Sequence, residues 1–286
     1  MKNKLNIMAV VCHPADAIDG AGGTLCKHAL RGDNVSVVVC THGVDTHDLK
    51  RNDLLRFGEK SGLHKTKTGS DKKQAIGRKE KEVVKGMKLL GVTDVRFLRF
   101  PDELLTVTTD LIIAIAKEMA DIQPHLLILH NPTEELGIAD VGHADTAVSA
   151  LKARYLANTG QYLKKPAGRI FPAQTFFMVM NGQTSCLTTE GERYGNVLVD
   201  ITSVIDRKVA AMDCLESQYY PGELGRKCIE TVNGRMGLHN RMSYAEAFQS
   251  HKPDGYEYLP ANPHRMWIAE TPAGSQMKRL KIMIRK

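Results

Sequence analysis

His13 and Asp16 stand three residues apart in the stretch His13-Pro14-Ala15-Asp16-Ala17-Ile18-Asp19-Gly20-Ala21-Gly22-Gly23-Thr24-Leu25, immediately after an apolar run. An imidazole and a carboxylate at that spacing, on one turn after a buried strand, can converge on a single cation. Zinc accepts both ligand types and keeps a position open for water when the protein supplies three ligands. The third ligand must come from elsewhere. His143, in Asp140-Val141-Gly142-His143-Ala144-Asp145, is well placed because it begins the helix expected after the fourth strand. A plainer reading stands beside this one: H-x-x-D is a common spacing, and either side chain can be a helix cap or a hydrogen-bonded loop group.

The glycines after Asp19 invite a nucleotide-binding reading, which the sequence does not sustain. In a G-x-G-x-x-G frame the third glycine falls on Leu25, and the second strand runs into Thr41-His42 rather than an acidic ribose clamp.

The elements that must position these residues alternate. Asn6 to Cys12 (NIMAVVC) and Asn34 to Thr41 (NVSVVVCT) are continuous apolar runs, as expected of strands buried on both faces. Between them, Gly22 to Arg31 reads as a helix, and a long helix after the second strand ends near Leu90-Gly91. Asp94 to Phe100 and His125 to His130 read as the third and fourth strands, separated by a helix over Thr109 to Ala120. A helix over Asp145 to Ala157 and a fifth strand over Thr175 to Met180 follow. This order predicts an α/β fold, a mostly parallel sheet with helices on both faces. Residues 1–200 form the expected metal-binding domain. Residues 201–286, with a helix over Ser203 to Ser217 and a tail rich in Gly, Pro and Tyr, form a helical and irregular extension of the same domain. In such sheets ligands bind beyond the carboxyl ends of the strands. That rule selects His13, Thr41-His42-Gly43 and His130-Asn131.

Composition narrows the function classes. Hydrophobic residues make up 42% of the chain and charged residues 25%, which fits a globular protein rather than a disordered one. No window reaches the about 18 apolar residues of a membrane span, and the N-terminus lacks a signal-peptide pattern, so a cytoplasmic location is expected. The six cysteines show no C-x-x-C pair, which argues for reduced core thiols. The net charge of +7, much of its excess between His64 and Lys88, suits an anionic partner. That lysine-dense stretch has no aromatic residue on which bases could stack and reads as a solvated helix face. The expected partner is a small anionic molecule, not nucleic acid or membrane; a homo-oligomer is compatible with the sequence.

The run from Ile7 to Thr41 resembles the PIG-L/LmbE family of zinc-dependent enzymes. Its members open with a strand, A-H-P-D-D-E-x-x-x-G-G-T-L, a helix, and R-G-x-x-V-x-V-V. Here the matching residues are His13-Pro14, Asp16, Gly22-Gly23-Thr24-Leu25 and Arg31-Gly32-Asp33-Asn34-Val35-Ser36-Val37-Val38. Similarity continues through Glu82…Leu90-Gly91-Val92 and Asp121 to His130, covering most of the first 155 residues. The resemblance implies a Rossmann-like sheet and one zinc ion per chain held by His13, Asp16 and His143. A G-H-P-D-H alignment would instead put Thr146 at the third ligand position; a D-H alignment keeps His143 and registers Ala150 to Ala157 without a shift, and is preferred.

The chain departs from the family at a telling point. The family's first aspartate, the general base of amide hydrolysis, is Ala15, and the following glutamate is Ala17. Losing such a group typically costs about 100- to 10,000-fold in rate. One branch, the 4-oxalomesaconate hydratases, also lacks that aspartate and has H-x-A/G-D here. Its carboxyl-terminal segments resemble Asp200-Ile-Thr-Ser-Val-Ile-Asp-Arg-Lys208 and Tyr244-Ala-Glu-Ala-Phe-Gln249. The resemblance therefore implies a zinc-dependent hydratase, a carbon–oxygen lyase acting on a small unsaturated carboxylated metabolite. The alternatives are a zinc-dependent N-deacetylase with a relocated base such as Asp45 or Asp48, and a family member without catalysis. Water on zinc has a pKa near 7, so hydration needs no strong dedicated base. It does need an acid to protonate carbon, for which His42, Asp45, His47 and Asp48 are the candidates, with His47 first because its unperturbed pKa is near neutral. Arg241 and Arg154 are candidate carboxylate clamps, and His130 and Asn131 candidate linings of the same crevice.

Overall fold

The computed structural model describes residues 4–61, 71–133, 142–164, 167–180, 195–238 and 240–284. The stretch from His64 through residue 70, together with Asp140, Val141 and Cys186, lies outside them.

The first strand, β1 (Asn6–Val11), sets the plan. Ile7, Ala9 and Val11 enter one hydrophobic cluster while Met8 and Val10 enter a second on the opposite face. Both sides are buried, which is why the run is apolar without alternation. Helix α1 (Asp16–Arg31) follows, then β2 (Asn34–Thr41), α2 (Leu49–Phe57), α3 (Lys72–Leu89) and β3 (Asp94–Phe100). Next come α4 (Thr109–Ile122), β4 (Leu126–Leu129), α5 (His143–Asn158), β5 (Gln174–Met178) and β6 (Val197–Asp200). The remainder is α6 (Ile205–Met212), α7 (Glu223–Ile229), a π-helical turn at Glu230–Gly234, α8 (Arg235–Leu238), β7 (Ala245–Ser250), α9 (Pro263–Glu270) and α10 (Ala273–Met277).

The sheet runs β3-β2-β1-β4-β5-β7-β6. The five strands from β3 to β5 are parallel, and β7 is antiparallel to both β5 and β6. Residues of α1, α3 and α6 share the cluster on one face, and residues of α4 and α5 the cluster on the other. This is the expected α/β architecture, a mostly parallel sheet covered on both sides.

Three expectations shift. Helix α1 begins at Asp16 rather than Gly22, because its glycines serve close packing rather than a turn. A Cβ on Gly23 would lie 2.6 Å from Ile201 Cγ2, and one on Gly20 2.8 Å from Met180 Sδ. The helix expected over Ser203 to Ser217 is shorter: it stops at Met212, where the Asp213 carboxylate turns to accept from the Gly222 amide (3.1 Å) and from Arg226 (2.9 Å). The C-terminal segment is not only helical and irregular, since it also inserts β7 into the sheet. Of the cysteines, Cys12, Cys26, Cys40 and Cys214 are buried thiols and Cys228 is half-buried. Among the described residues no helix is long and apolar enough to cross a membrane.

Candidate metal centre

Parallel neighbours β2, β1 and β4 end side by side, so the residues just past them gather at one edge. His13 and Asp16 leave β1, His42 leaves β2 and His130 leaves β4. His143 opens α5 from across the chain, behind Gly142, whose φ of 99° favours glycine and where a Cβ would press to 3.0 Å from Cys12 Sγ. All five side chains are buried.

One oxygen is the focus. Asp16 Oδ2 accepts from the His13 amide at 2.6 Å and lies 3.4 Å from His13 Nδ1, 3.4 Å from His143 Nε2 and 3.1 Å from His130 Nε2. His13 Nδ1 and His143 Nε2 are 3.2 Å apart. The two nitrogens and the oxygen thus form a nearly equilateral triangle. A tetrahedral zinc site with bonds of about 2.0–2.1 Å has edges of about 3.3–3.4 Å, so the donor set and its spacing both suit that ion. His130 Nε2 also accepts from the Cys12 amide at 3.0 Å, and its ring stacks on His143 with centroids 3.8 Å apart. Thr146, the alternative third position, is fully buried one turn further along α5.

Electrostatics agree with this chemistry. Burial works to raise the Asp16 carboxyl, but His143 and His13 beside it, with the hydrogen bond from His13, hold it well below the usual range. Burial pushes His13 down to about 4 despite the opposing pull of Asp16. An ionised carboxylate and neutral imidazoles are the forms that bind a metal.

Other expected residues divide. The His47 ring stacks on His13 with centroids 3.7 Å apart, which brings it to the centre. Asp48 is turned away: it caps α2 by accepting from the Arg51 amide (3.0 Å) and pairs with Arg78 at 2.5 Å. His42 Nδ1 lies 2.7 Å from Asp102 Oδ1, and its Nε2 is 3.7 Å from Asp45 Oδ2. Asp45 itself pairs with Lys72 at 2.6 Å. Asn131 bonds to Gln249 (3.4 Å) and Thr133 rather than to the histidines. Arg154, about 16 Å along α5 from His143 at helical rise, lies over the Tyr155 ring. Arg241 bonds to Gln276 of α10 at 3.3 Å. Neither arginine is gathered into the cluster.

Two buried neighbours of these histidines were absent from the sequence reading. Asp102 is fully buried behind His42, and the strand-end rule would have found it, since it follows β3 by two residues. Lys79 is buried and donates to the His47 carbonyl (2.8 Å) and to Gln218 Oε1 (3.0 Å); a lysine within a lysine-rich helix gave no signal.

A doubly covered, mostly parallel sheet with a buried His/Asp cluster at the carboxyl ends of its strands defines an α/β protein with a candidate metal site. The family model described as GlcNAc-PI de-N-acetylase, PIG-L, matches residues 8–153, and the chain belongs to this family of enzymes. The 4-oxalmesaconate hydratase of Pseudomonas putida is 26% identical over 258 residues, spanning 88% of this chain and 91% of that protein. Among solved structures, GalB, the 4-carboxy-2-hydroxymuconate hydratase of Pseudomonas putida KT2440, has a TM-score of 0.67 at 22% identity, covering 89% of this chain and 99% of that one. The N,N'-diacetylchitobiose deacetylase of Pyrococcus horikoshii has a TM-score of 0.67 at 17% identity, covering 96% and 89%.

Proposed function

We propose that the chain is a zinc-dependent hydratase acting on a small unsaturated carboxylate, with His13, Asp16 and His143 as metal ligands and His47 as the proton-transfer group. The observation carrying this reading is the donor triangle standing intact beside Ala15, whose methyl is buried in the hydrophobic core. When bound, zinc would supply a water whose pKa falls near 7 and a Lewis acid for a conjugated carbonyl.

The remaining chemistry falls to the protein's own side chains. Asp16 cannot double as a base while it is committed to four nitrogens within 3.4 Å. Asp45 is paired with Lys72, Asp48 with Arg78, and Asp102 with His42. That engagement weighs against the relocated carboxylate base that amide hydrolysis would require. The stack of half-buried His47 on His13 supports it as the group that would deliver a proton to the carbon next to the site of water addition. The hydratase relative adds weight at the level of sequence.

The test pairs two assays on the zinc-loaded protein. Loss of conjugated absorbance from an unsaturated polycarboxylate, with no leaving group, is the expected result. Acetate release from an N-acetylated amino sugar without hydration would replace this reading with the deacetylase one. Inactivity in both assays by a protein that also takes up no metal would leave a non-catalytic family member.

A further inference from the structure

A chain of short hydrogen bonds runs from the β3 end to the edge of the metal centre. Thr46 Oγ1 lies 2.5 Å from Asp102 Oδ2 and 2.6 Å from His47 Nδ1. Asp102 accepts from His42 Nδ1 (2.7 Å) and from the Thr46 amide (2.8 Å) as well. Burial works to raise the Asp102 carboxyl, but the bonds from His42 and Thr46 outweigh it and hold the group well below the usual range. Asp102 is therefore a carboxylate and can only accept.

A threonine hydroxyl has one proton to give. With an obligate acceptor 2.5 Å away, that proton goes to Asp102, and the oxygen is left to accept from His47. We propose that Thr46, backed by Asp102, is a positioning residue that fixes the His47 imidazole with a proton on Nδ1, so that Nε2 is the nitrogen that exchanges protons with the substrate. The assignment holds whether His47 is neutral or cationic, because Nδ1 is protonated in both. The backbone is fixed from the other side, where buried Lys79 donates to the His47 carbonyl at 2.8 Å. One ring orientation is thus held by a side-chain bond, a main-chain bond and the stack on His13. The consequence for catalysis rests on the hydratase reading; the tautomer itself does not.

The experiment is nitrogen-15 spectroscopy of histidine-labelled, zinc-loaded protein, at a pH about two units above the ordinary histidine value. The His47 signals are identified by their disappearance in His47→Gln. The unprotonated nitrogen of a neutral imidazole resonates far downfield of the protonated one, so the two tautomers are read directly. Wild type and Thr46→Ser should both show the Nδ1–H form, and Thr46→Val should show the tautomer mixture of an unconstrained ring. Wild-type His47 carrying its proton on Nε2, or identical His47 signals in wild type and Thr46→Val, would overturn the proposal. Turnover separates the two readings: kcat should fall at least about tenfold in Thr46→Val and return in Thr46→Ser. A tautomer change with unaltered kcat would uphold the positioning and remove His47 from the reaction.

Discussion

Lys208 Nζ lies 2.8 Å from Glu246 Oε1, with both side chains fully shielded from solvent. Each is also bonded into the middle of α1: Lys208 donates to the Asp19 carbonyl at 2.6 Å, and Glu246 accepts from the Gly23 and Thr24 amides at 2.8 and 2.7 Å. The pair therefore ties α6 and β7 to the helix whose first residue is Asp16. Both belong to the two C-terminal segments that resemble the hydratase branch, and here they anchor the helix that carries Asp16 of the candidate metal centre.

Removing one partner of a buried pair leaves the other charge uncompensated, at a cost of about 3–5 kcal/mol. Lys208→Met should lose that much stability in chemical denaturation. Adding Glu246→Gln should recover part of it, because the neutral amide oxygen still accepts from α1 without a stranded charge. A loss in Lys208→Met below about 1 kcal/mol would mean that the pair is not buried as described.

Gly23 and Gly77 should respond with opposite signs to the same change. A Cβ on Gly23 meets Ile201 Cγ2 at 2.6 Å and Ile201 Cβ at 2.7 Å, an overpacking that costs about 1–3 kcal/mol. On Gly77, inside α3, a Cβ meets nothing within 4 Å, so alanine should stabilise by about 0.5–1 kcal/mol. Thermal melts of Gly23→Ala and Gly77→Ala moving in the same direction would contradict this packing.

What the sequence disclosed follows from how each element is buried. β2 and β3 occupy the expected Asn34 to Thr41 and Asp94 to Phe100, and β1 differs from its expected run only by Cys12. Strands covered on both faces, β1 and β2, write themselves as apolar runs. The start of α1 was hidden because Gly20, Gly22 and Gly23 look like a loop locally, and only residues distant in sequence explain them: Met180 for Gly20, Leu90 for Gly22 and Ile201 for Gly23. β7 was hidden because Glu246 interrupts its apolar pattern, and the compensating Lys208 is 38 residues away. At the site, ligand-type residues at strand ends could be chosen by topology, which located His13, His42 and His130. Arginines carry no such positional information, and Arg154 and Arg241 are bonded elsewhere.

Lys79 gives the chain an alkaline signature. Burial lowers its pKa from 10.5 to about 8, against the opposing charges of Asp48 and Glu82. In the unfolded chain the lysine keeps its proton to about pH 10.4. Between those values the unfolded state binds more protons, so stability rises with pH through this window and is lost as pH falls back towards 8. Measured by denaturation, the stability of wild type relative to Lys79→Met should therefore grow from pH 8 upward, by up to about 3 kcal/mol. A flat difference across the window would place the ammonium in solvent.

Metal content decides between the two registers for the third ligand. With His143 as ligand, His143→Ala and His13→Ala should each abolish the one equivalent of zinc that the purified, untagged protein is expected to carry. Thr146→Val should retain it, since a neutral threonine hydroxyl is not among the thiolate, imidazole and carboxylate donors that zinc takes from proteins. His130→Ala should fall between these extremes. Its Nε2 touches the ligand carboxylate at 3.1 Å, and loss of a group that orients a ligand typically weakens metal affinity about 10- to 100-fold. Titration with a competing chelator separates these three classes, where a single metal analysis would not. Full zinc occupancy in His143→Ala would shift the third position to His130, the only other histidine among the described residues with a ring nitrogen at Asp16 Oδ2 besides His13. Loss of zinc in Thr146→Val with retention in His143→Ala would instead revive the register in which α5 presents its first turn one step later.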